Sequence, residues 1–212
     1  MAPILHLVPG ALARRPEDYV ASGGHLVTTY FSGIVDEDDH VWLGGYPGAL
    51  RDLLGIRIEE FAPLMEGEAV ELDLGVSGTL WTDRIDVTDP ATEAVAAYKT
   101  GDHAGRPAVT TRRTGAGSAS YVSTRLGPEG LGALLPRLLD VAGISPELPP
   151  GVRGLVDLAI RTDGAHDYWF PINRTDRHVD VSAISGEPVH GPVLARESTL
   201  GPRQVRILRR PA

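Results

Sequence analysis

Across residues 25–31 the chain places Leu26, Val27, Thr28, Thr29, Tyr30 and Phe31 in one nearly unbroken apolar run. β-Branched and aromatic residues at this density predict a strand covered on both faces, and so a sheet flanked by helices. A polar loop follows over residues 32–40, after which Val41, Trp42 and Leu43 predict a return to apolar surroundings. Gly44-Gly45-Tyr46-Pro47-Gly48 then bends the backbone into a short helix over 49–54, with Pro47 suited to its first turn and Gly55 to its end. Ile56, Ile58 and Phe61 alternate with Arg57, Glu59 and Glu60, the pattern of a strand with one wet face.

Ahead of this stretch, residues 4–8 predict a short buried strand ending at Pro9-Gly10 and feeding a helix over 11–21. Pro16 places the regular part of that helix at or after Arg15, and Gly23-Gly24 ends it. Strand, helix and strand in this order predict a right-handed βαβ unit with parallel strands. Further strands are expected at 69–74, 78–87, 95–98 and 107–112, with turns at Ser77-Gly78 and 100–102. Gly115-Ala116-Gly117-Ser118 predicts a hairpin turn into a strand over 119–124. Leu131, Leu134, Leu135, Leu138, Leu139 and Val141 recur at helical spacing over 128–142, an amphipathic helix lying on the sheet.

Ser145-Pro146-Glu147-Leu148-Pro149-Pro150-Gly151 excludes helix and disfavours an internal strand, which marks a domain boundary. Short alternating runs follow at 155–161, 168–173, 179–183, 192–195 and 205–208, and predict a small antiparallel β-sandwich or barrel-like module over 152–212. The expected organisation is therefore an α/β domain over 1–145 and an all-β domain over 152–212.

Composition narrows the function classes. The 212 residues, 42% hydrophobic and 23% charged, describe an ordinary folded protein. A net charge of -8 disfavours non-specific binding to nucleic acid or to an anionic membrane, since both reward clustered cations. No apolar stretch approaches the roughly 18 residues needed to cross a bilayer, and no basic region precedes the first apolar run. With no cysteine there is neither disulfide nor thiolate nucleophile. These features lead to the expectation of a cytoplasmic protein with no cofactor.

Candidate chemistry centres on Asp36-Glu37-Asp38-Asp39-His40. Four acids in sequence project in different directions from a loop, whereas a metal site needs convergent ligands and a glycosidase needs two carboxyls facing across a sugar. A solvated or subunit-contacting loop is the expected role. No H-E-x-x-H spacing links the seven histidines, and no G-x-S-x-G elbow surrounds a serine. The turn at 44–48 is read as structural rather than as an anion site, and Asn173-Arg174-Thr175 as a strand-end turn rather than a glycosylation acceptor. Trp42 and Tyr46 are large aromatics beside the acidic loop, placed either in the core or at a contact with a partner.

The stretch GGHLVTTYFSGIVDEDDHVWLGGYPGALRDLLGIRIEEF, residues 23–61, resembles the trimerisation domain of the bacterial β-galactosidases of glycoside hydrolase family 42, and the likeness continues through much of the chain. In that family a catalytic (β/α)8 barrel comes first, this α/β domain follows, and a small β domain closes the chain. The resemblance implies a three-layer Rossmann-like fold, similar to class I glutamine amidotransferases and lacking its first strands, followed by a small antiparallel sandwich. Amidotransferase chemistry needs a cysteine, which is absent. A barrel takes about 250 residues, so the family's two catalytic glutamates, at barrel strand ends, have no counterpart here.

The resemblance also implies self-association, as a homotrimer in the family, with a catalytic barrel polypeptide as a second partner. It makes Asp36, Asp39, His40, Trp42 and Tyr46 the candidate subunit-contact residues and leads to an expectation of no activity from this chain alone. Met1 then reads as a start inside a longer frame. A second reading is a carbohydrate-binding module in which Tyr168, Trp169 or Phe170 stacks on sugars, against the expectation that these three simply alternate into and out of the core.

Overall fold

The computed structural model describes residues 1–190 and 198–212, so the strand expected at 192–195 lies outside the described residues. Two units separate between Ile144 and Ser145.

In the first unit a 3-10 turn, Gly10–Leu12, leads into α1 (Arg14–Ala21) and then β1 (His25–Thr29). A second 3-10 turn, Gly48–Leu50, runs into α2 (Arg51–Leu54). Next come β2 (Ile56–Pro63), β3 (Val70–Glu71), β4 (Ser77–Val87), β5 (Thr92–Ala97), β6 (Pro107–Thr114), β7 (Gly117–Val122), β8 (Thr124–Leu126) and α3 (Pro128–Val141).

Two sheets result. One has the order β1-β7-β6-β5, in which β1 lies parallel to β7 and the other pairs are antiparallel. The second has the order β2-β4-β3, with β8 also paired to β4, and is wholly antiparallel. The unit is strand-rich and mixed, with few helices, and among its named strands β1 and β7 alone run parallel. The reason lies in the tight turn at 115–116, which folds β7 directly back on β6 and leaves one parallel neighbour, β1.

The expected N-terminal strand is corrected. Residues 4–8 join no strand, and only isolated parallel bridges, Ala2 to Thr28 and Leu7 to Val35, keep the expected direction. Ile4, Leu5 and Leu7 are exposed. Ser77-Gly78, expected as a turn, begins β4.

Burial follows the sequence pattern closely in β2. Ile56 and Ile58 are fully buried while Arg57 and Glu59 face water. Phe61 breaks the parity of that series, and the pairing with β4 shifts register between Ile58 and Phe61. The bulge absorbs the extra residue and turns Phe61 outward. Gly55, at φ +63°, ends α2 in the left-handed conformation, with its N–H donating to Arg51 O at 2.7 Å. One core gathers Val20, Leu50, Leu54, Ile56, Ile58 and Tyr121. In α3, Leu134 and Leu138 enter a second core with Val70, Leu72, Tyr98 and Val109, against which Leu131 packs. Each fully buried Leu or Ile contributes about 1.5–3 kcal/mol.

The second unit, Ser145–Ala212, contains β9 (Val156–Thr162), β10 (His166–Asn173), β11 (Val179–Asp180), β12 (Glu187–His190), β13 (Thr199–Leu200) and β14 (Ile207–Pro211). The order β12-β14-β10-β9 is antiparallel throughout, and β11 pairs with β13. Val156, Trp169, Val179, Leu200 and Leu208 from both sheets share one core. This is a small all-β domain. Among the described residues no helix is long and apolar enough to cross a membrane.

Candidate self-association surface

Past β1 the chain is laced to the N-terminal segment by backbone bonds: Gly33 N to Leu5 O (2.7 Å), Ile34 N to His6 O (2.9 Å) and Val8 N to Val35 O (3.0 Å). The Ser32 hydroxyl, fully buried, donates to Thr29 O at 2.7 Å and accepts from Leu5 N at 3.1 Å. Ser32 is thus a turn residue and not a nucleophile.

The acidic loop closes on itself. Asp36 Oδ1 accepts from the backbone N–H of Asp38 (3.0 Å) and of His40 (2.9 Å), and Asp36 N donates to His40 O at 2.9 Å. The His40 ring stands 3.8 Å from Asp36, with its side chain 78% exposed. Asp39, at φ +62°, points away into solvent, and Glu37 accepts from Gly10 N at 3.2 Å. Asp36 and His40 therefore meet, while Asp39 joins the loop through its backbone N–H, which donates to Asp36 O at 3.2 Å. No cluster of three or more His, Cys, Asp or Glu able to hold a metal occurs among the described residues.

Trp42 lies half-buried, anchored by its backbone N–H donating to Ile34 O at 3.0 Å. Its ring packs on Gly48, with Gly10 against the far edge. In an extended segment the neighbours of an inward residue face outward. Val41 and Leu43 accordingly stand 66% and 89% exposed, which corrects the expectation that all three enter apolar surroundings. Arg51 organises the following turn by donating to Leu43 O (3.1 Å), Gly44 O (2.8 Å) and Gly48 O (3.2 Å). Carbonyls converge on a cation there, so the turn is no anion cradle.

Tyr46, across its cis peptide to Pro47, faces inward instead. Its backbone pairs with Ile58 in both directions, at 2.9 and 2.7 Å. Its hydroxyl donates to Asp83 Oδ1 at 3.1 Å, while the Tyr121 hydroxyl donates to Asp83 Oδ2 at 2.8 Å. Asp83 is fully buried, and burial pushes its carboxyl up to about 7, the bonds from Tyr121 and Tyr46 drawing it only partway back. Burial also holds the Tyr46 and Tyr121 hydroxyls well above the ordinary tyrosine range.

Beside this network runs a chain of aromatic rings. Phe31 lies 4.6 Å from Trp81, 5.1 Å from Phe61 and 5.9 Å from Tyr30, and Tyr46 lies 6.3 Å from Phe61. Phe31 and Leu80 both hold left-handed backbones, at φ +58° and +73°, which non-glycine residues adopt at a cost. Sequence reading missed Asp83, this ring cluster and the exposure of Val41 and Leu43. The parity break at Phe61 was the one available signal.

Two grooves test for a paired carboxylate. A groove of about 430 Å³ between Trp42, Tyr46 and Ile58 has one carboxylate in its lining, Glu59. In the second unit a groove of about 660 Å³ carries Glu147 and Asp157, both exposed, with Asp157 3.4 Å from Arg174. A general acid needs a carboxyl protected from water, and neither of these is. Trp169 is buried in its core with the Arg210 guanidinium stacked 3.5 Å over its ring.

The chain thus carries a strand-rich mixed unit with an apolar-rimmed loop, followed by a small all-β domain. Residues 1–145 match the family model of the β-galactosidase trimerisation domain, and residues 155–210 that of the β-galactosidase C-terminal domain. The chain is 38% identical over 212 residues to the β-galactosidase LacZ of Heyndrickxia coagulans, covering 98% of this chain and 31% of that protein. It is 37% identical over 220 residues to the β-galactosidase BbgII of Bifidobacterium bifidum, covering 98% of this chain and 32% of that protein. The crystal structure of a β-galactosidase from Bacillus circulans sp. alkalophilus superposes with a TM-score of 0.80 at 32% identity, over 99% of this chain and 32% of that one. A catalytic mutant of Gan42B, a GH42 β-galactosidase from G. stearothermophilus, gives 0.78 at 27% identity over 100% of this chain and 31% of its own. The chain belongs to the glycoside hydrolase family 42 β-galactosidases, of which it carries the trimerisation and C-terminal domains, spanning about a third of the relatives' length.

Proposed function

We propose that this chain is the non-catalytic, assembling portion of a family 42 β-galactosidase, acting in the cytoplasm and joining copies of itself into a closed homotrimer. The observation that carries the reading is the match of residues 1–145 to a trimerisation domain. The exposed pair Val41 and Leu43 on the loop beside Trp42 supports it, because apolar side chains held outward on a bonded loop are suited to burial against a partner. Asp36, Asp39 and His40 form the polar rim of the contact, and Trp42 and Tyr46 fix the loop from inside. We read 1–145 and 152–212 as separate domains. The parallel β1–β7 pair supports placing the first among Rossmann-like layers without its leading strands.

Hydrolysis belongs to a catalytic barrel polypeptide that this chain would hold in place. Retaining hydrolysis needs two carboxyls about 5 Å apart across the scissile bond, and the two grooves described above present no such pair. Sedimentation equilibrium of the purified chain over a wide concentration range tests the reading. The expected mass is that of three copies. A monomer at every concentration, or turnover of a galactoside abolished by a substitution within the chain, overturns it. No observation favours the sugar-binding alternative: Trp169 is enclosed, and the Tyr168 hydroxyl is engaged by Asp163 at 3.0 Å.

A further inference from the structure

Asp83 is a fully buried carboxyl with no cation among its partners, held by two tyrosine hydroxyls that come from very different places. Tyr121 sits in the middle of β7, itself fully buried, and cannot withdraw without breaking the sheet. Tyr46 is half-buried on a turn led by Gly44 and Gly45, at φ +81° and +86°, and its backbone meets β2 in the isolated bridge to Ile58 rather than in a strand. The same turn is bonded through Arg51 to Leu43 and packs on Trp42 through Gly48.

We propose that Asp83 and Tyr46 form a proton-controlled latch on the loop that carries the assembly surface, closed while Asp83 is neutral and released when it ionises. The surface it controls rests on the assembly reading given above, whereas the latch itself does not.

The charge surroundings leave Asp83 alone to answer. Tyr121 faces it from β7, Tyr46 from the turn and Tyr98 from beyond β5, and burial keeps all three phenols neutral across the working range. On its own strand, Arg84 and Asp86 are tied into ion pairs with each other and with Glu60 and Arg106. Arg57 and Glu59 of β2 pair at 2.8 Å, and Arg125 of β8 is exposed. The His103 ring stands 6.2 Å from that of Tyr98. A carboxylate formed in this setting has no counter-ion among the described residues, and admitting water in place of the Tyr46 ring breaks the isolated Tyr46–Ile58 bridge while leaving the named strand pairs intact.

The direction follows. Asp83 titrates near 7 when enclosed and at the ordinary carboxylate value of 3.8 when hydrated. Opening is therefore linked to proton release, and the open fraction grows by up to about tenfold per pH unit between these values, levelling off above the upper one.

Amide exchange of residues 43–46 in the full chain, above all of the Tyr46 N–H bonded to Ile58 O, corrected for intrinsic rates, reads the latch from about pH 5 to about pH 8. The expected result is protection that falls at least about tenfold across this range. Asp83→Asn, neutral throughout, is expected to flatten that dependence, and Tyr46→Phe to leave the segment open at every pH. Wild-type protection independent of pH, or an Asp83→Asn chain that keeps the wild-type dependence, overturns the latch. If Asp83→Asn does not fold, the wild-type profile and Tyr46→Phe decide. Sedimentation at about pH 6 runs alongside: a monomer there refutes the assembly reading, while the exchange data still judge the latch separately.

Discussion

The indole of Trp42 rests directly on the backbone of Gly48, so closely that a Cβ at residue 48 would overlap the ring at Cγ and Cδ1. The fit is steric rather than conformational, because Gly48 does not hold a positive φ. Gly48→Ala must lift Trp42 from its seat, and overpacking of this kind costs about 1–3 kcal/mol. Urea unfolding of the full chain should show that loss, together with a red-shifted tryptophan emission as the ring gains water.

Val41 and Leu43 make the opposite prediction. They contribute little to folding because they face outward, so Leu43→Asp should change stability by no more than about 0.5 kcal/mol. On the assembly reading, the same substitution should shift sedimentation of the chain toward the monomer. Unchanged mass at equal concentration would remove the loop from the interface and leave the rest of the reading in place.

Much of this fold was legible because its elements carry strong periodic signals. α3 was found from leucines at helical spacing, and Leu134 and Leu138 are indeed its buried positions. β2 was found from alternation, with its bulge foreshadowed by the odd step from Ile58 to Phe61. The failures share a cause. An apolar run reports a preference for burial but not the presence of a hydrogen-bonding partner, so residues 4–8 looked like a strand and are not one. Val41-Trp42-Leu43 looked uniformly inward, yet an extended trio divides its side chains between two faces. Asp83 left no signal at all: in a strand pattern a carboxylate reads as the wet face, and only the tertiary fold brings two tyrosines to it from 37 and 38 residues away.

That carboxyl predicts an unusual dependence of stability on pH. Asp83 has a folded value of about 7 against 3.8 unfolded. The stability linked to this difference is fully present below about pH 4, is lost as pH rises toward about 7, and stays lost above it. About three units correspond to about 4 kcal/mol. The carboxyls of half-buried Asp89 and of exposed Asp163, Asp176 and Asp180 are lowered by their hydrogen bonds and act in the opposite sense at acid pH. The clean measurement is therefore the difference between wild type and Asp83→Asn in unfolding free energy, which should shrink in wild type's disfavour as pH rises through this window. Tyr121→Phe removes one of the two donors and should cost about 1–3 kcal/mol at neutral pH.

In the second unit Asn173 makes a comparable but neutral case. Its Nδ2 donates to Arg177 O (2.7 Å), Leu200 O (3.1 Å) and Gly201 O (2.8 Å). Its Oδ1 accepts from Thr175 N and from Thr175 Oγ1, both at 2.8 Å. One fully buried amide thereby ties the end of β10 to the 175–177 turn and to β13. An amide engaged in this way is not available for glycosylation, which agrees with reading Asn173-Arg174-Thr175 as a strand-end turn. Asn173→Asp keeps the shape but replaces the donor with a carboxylate oxygen facing three carbonyls, and should cost at least about 3 kcal/mol at neutral pH. Lowering the pH should recover part of that loss as the new carboxyl takes a proton and regains one donor. Thermal unfolding of Asn173→Asp beside wild type at about pH 4 and about pH 7 measures it, and a deficit relative to wild type that is equal at both would show that the carbonyl cluster is not what this side chain holds together.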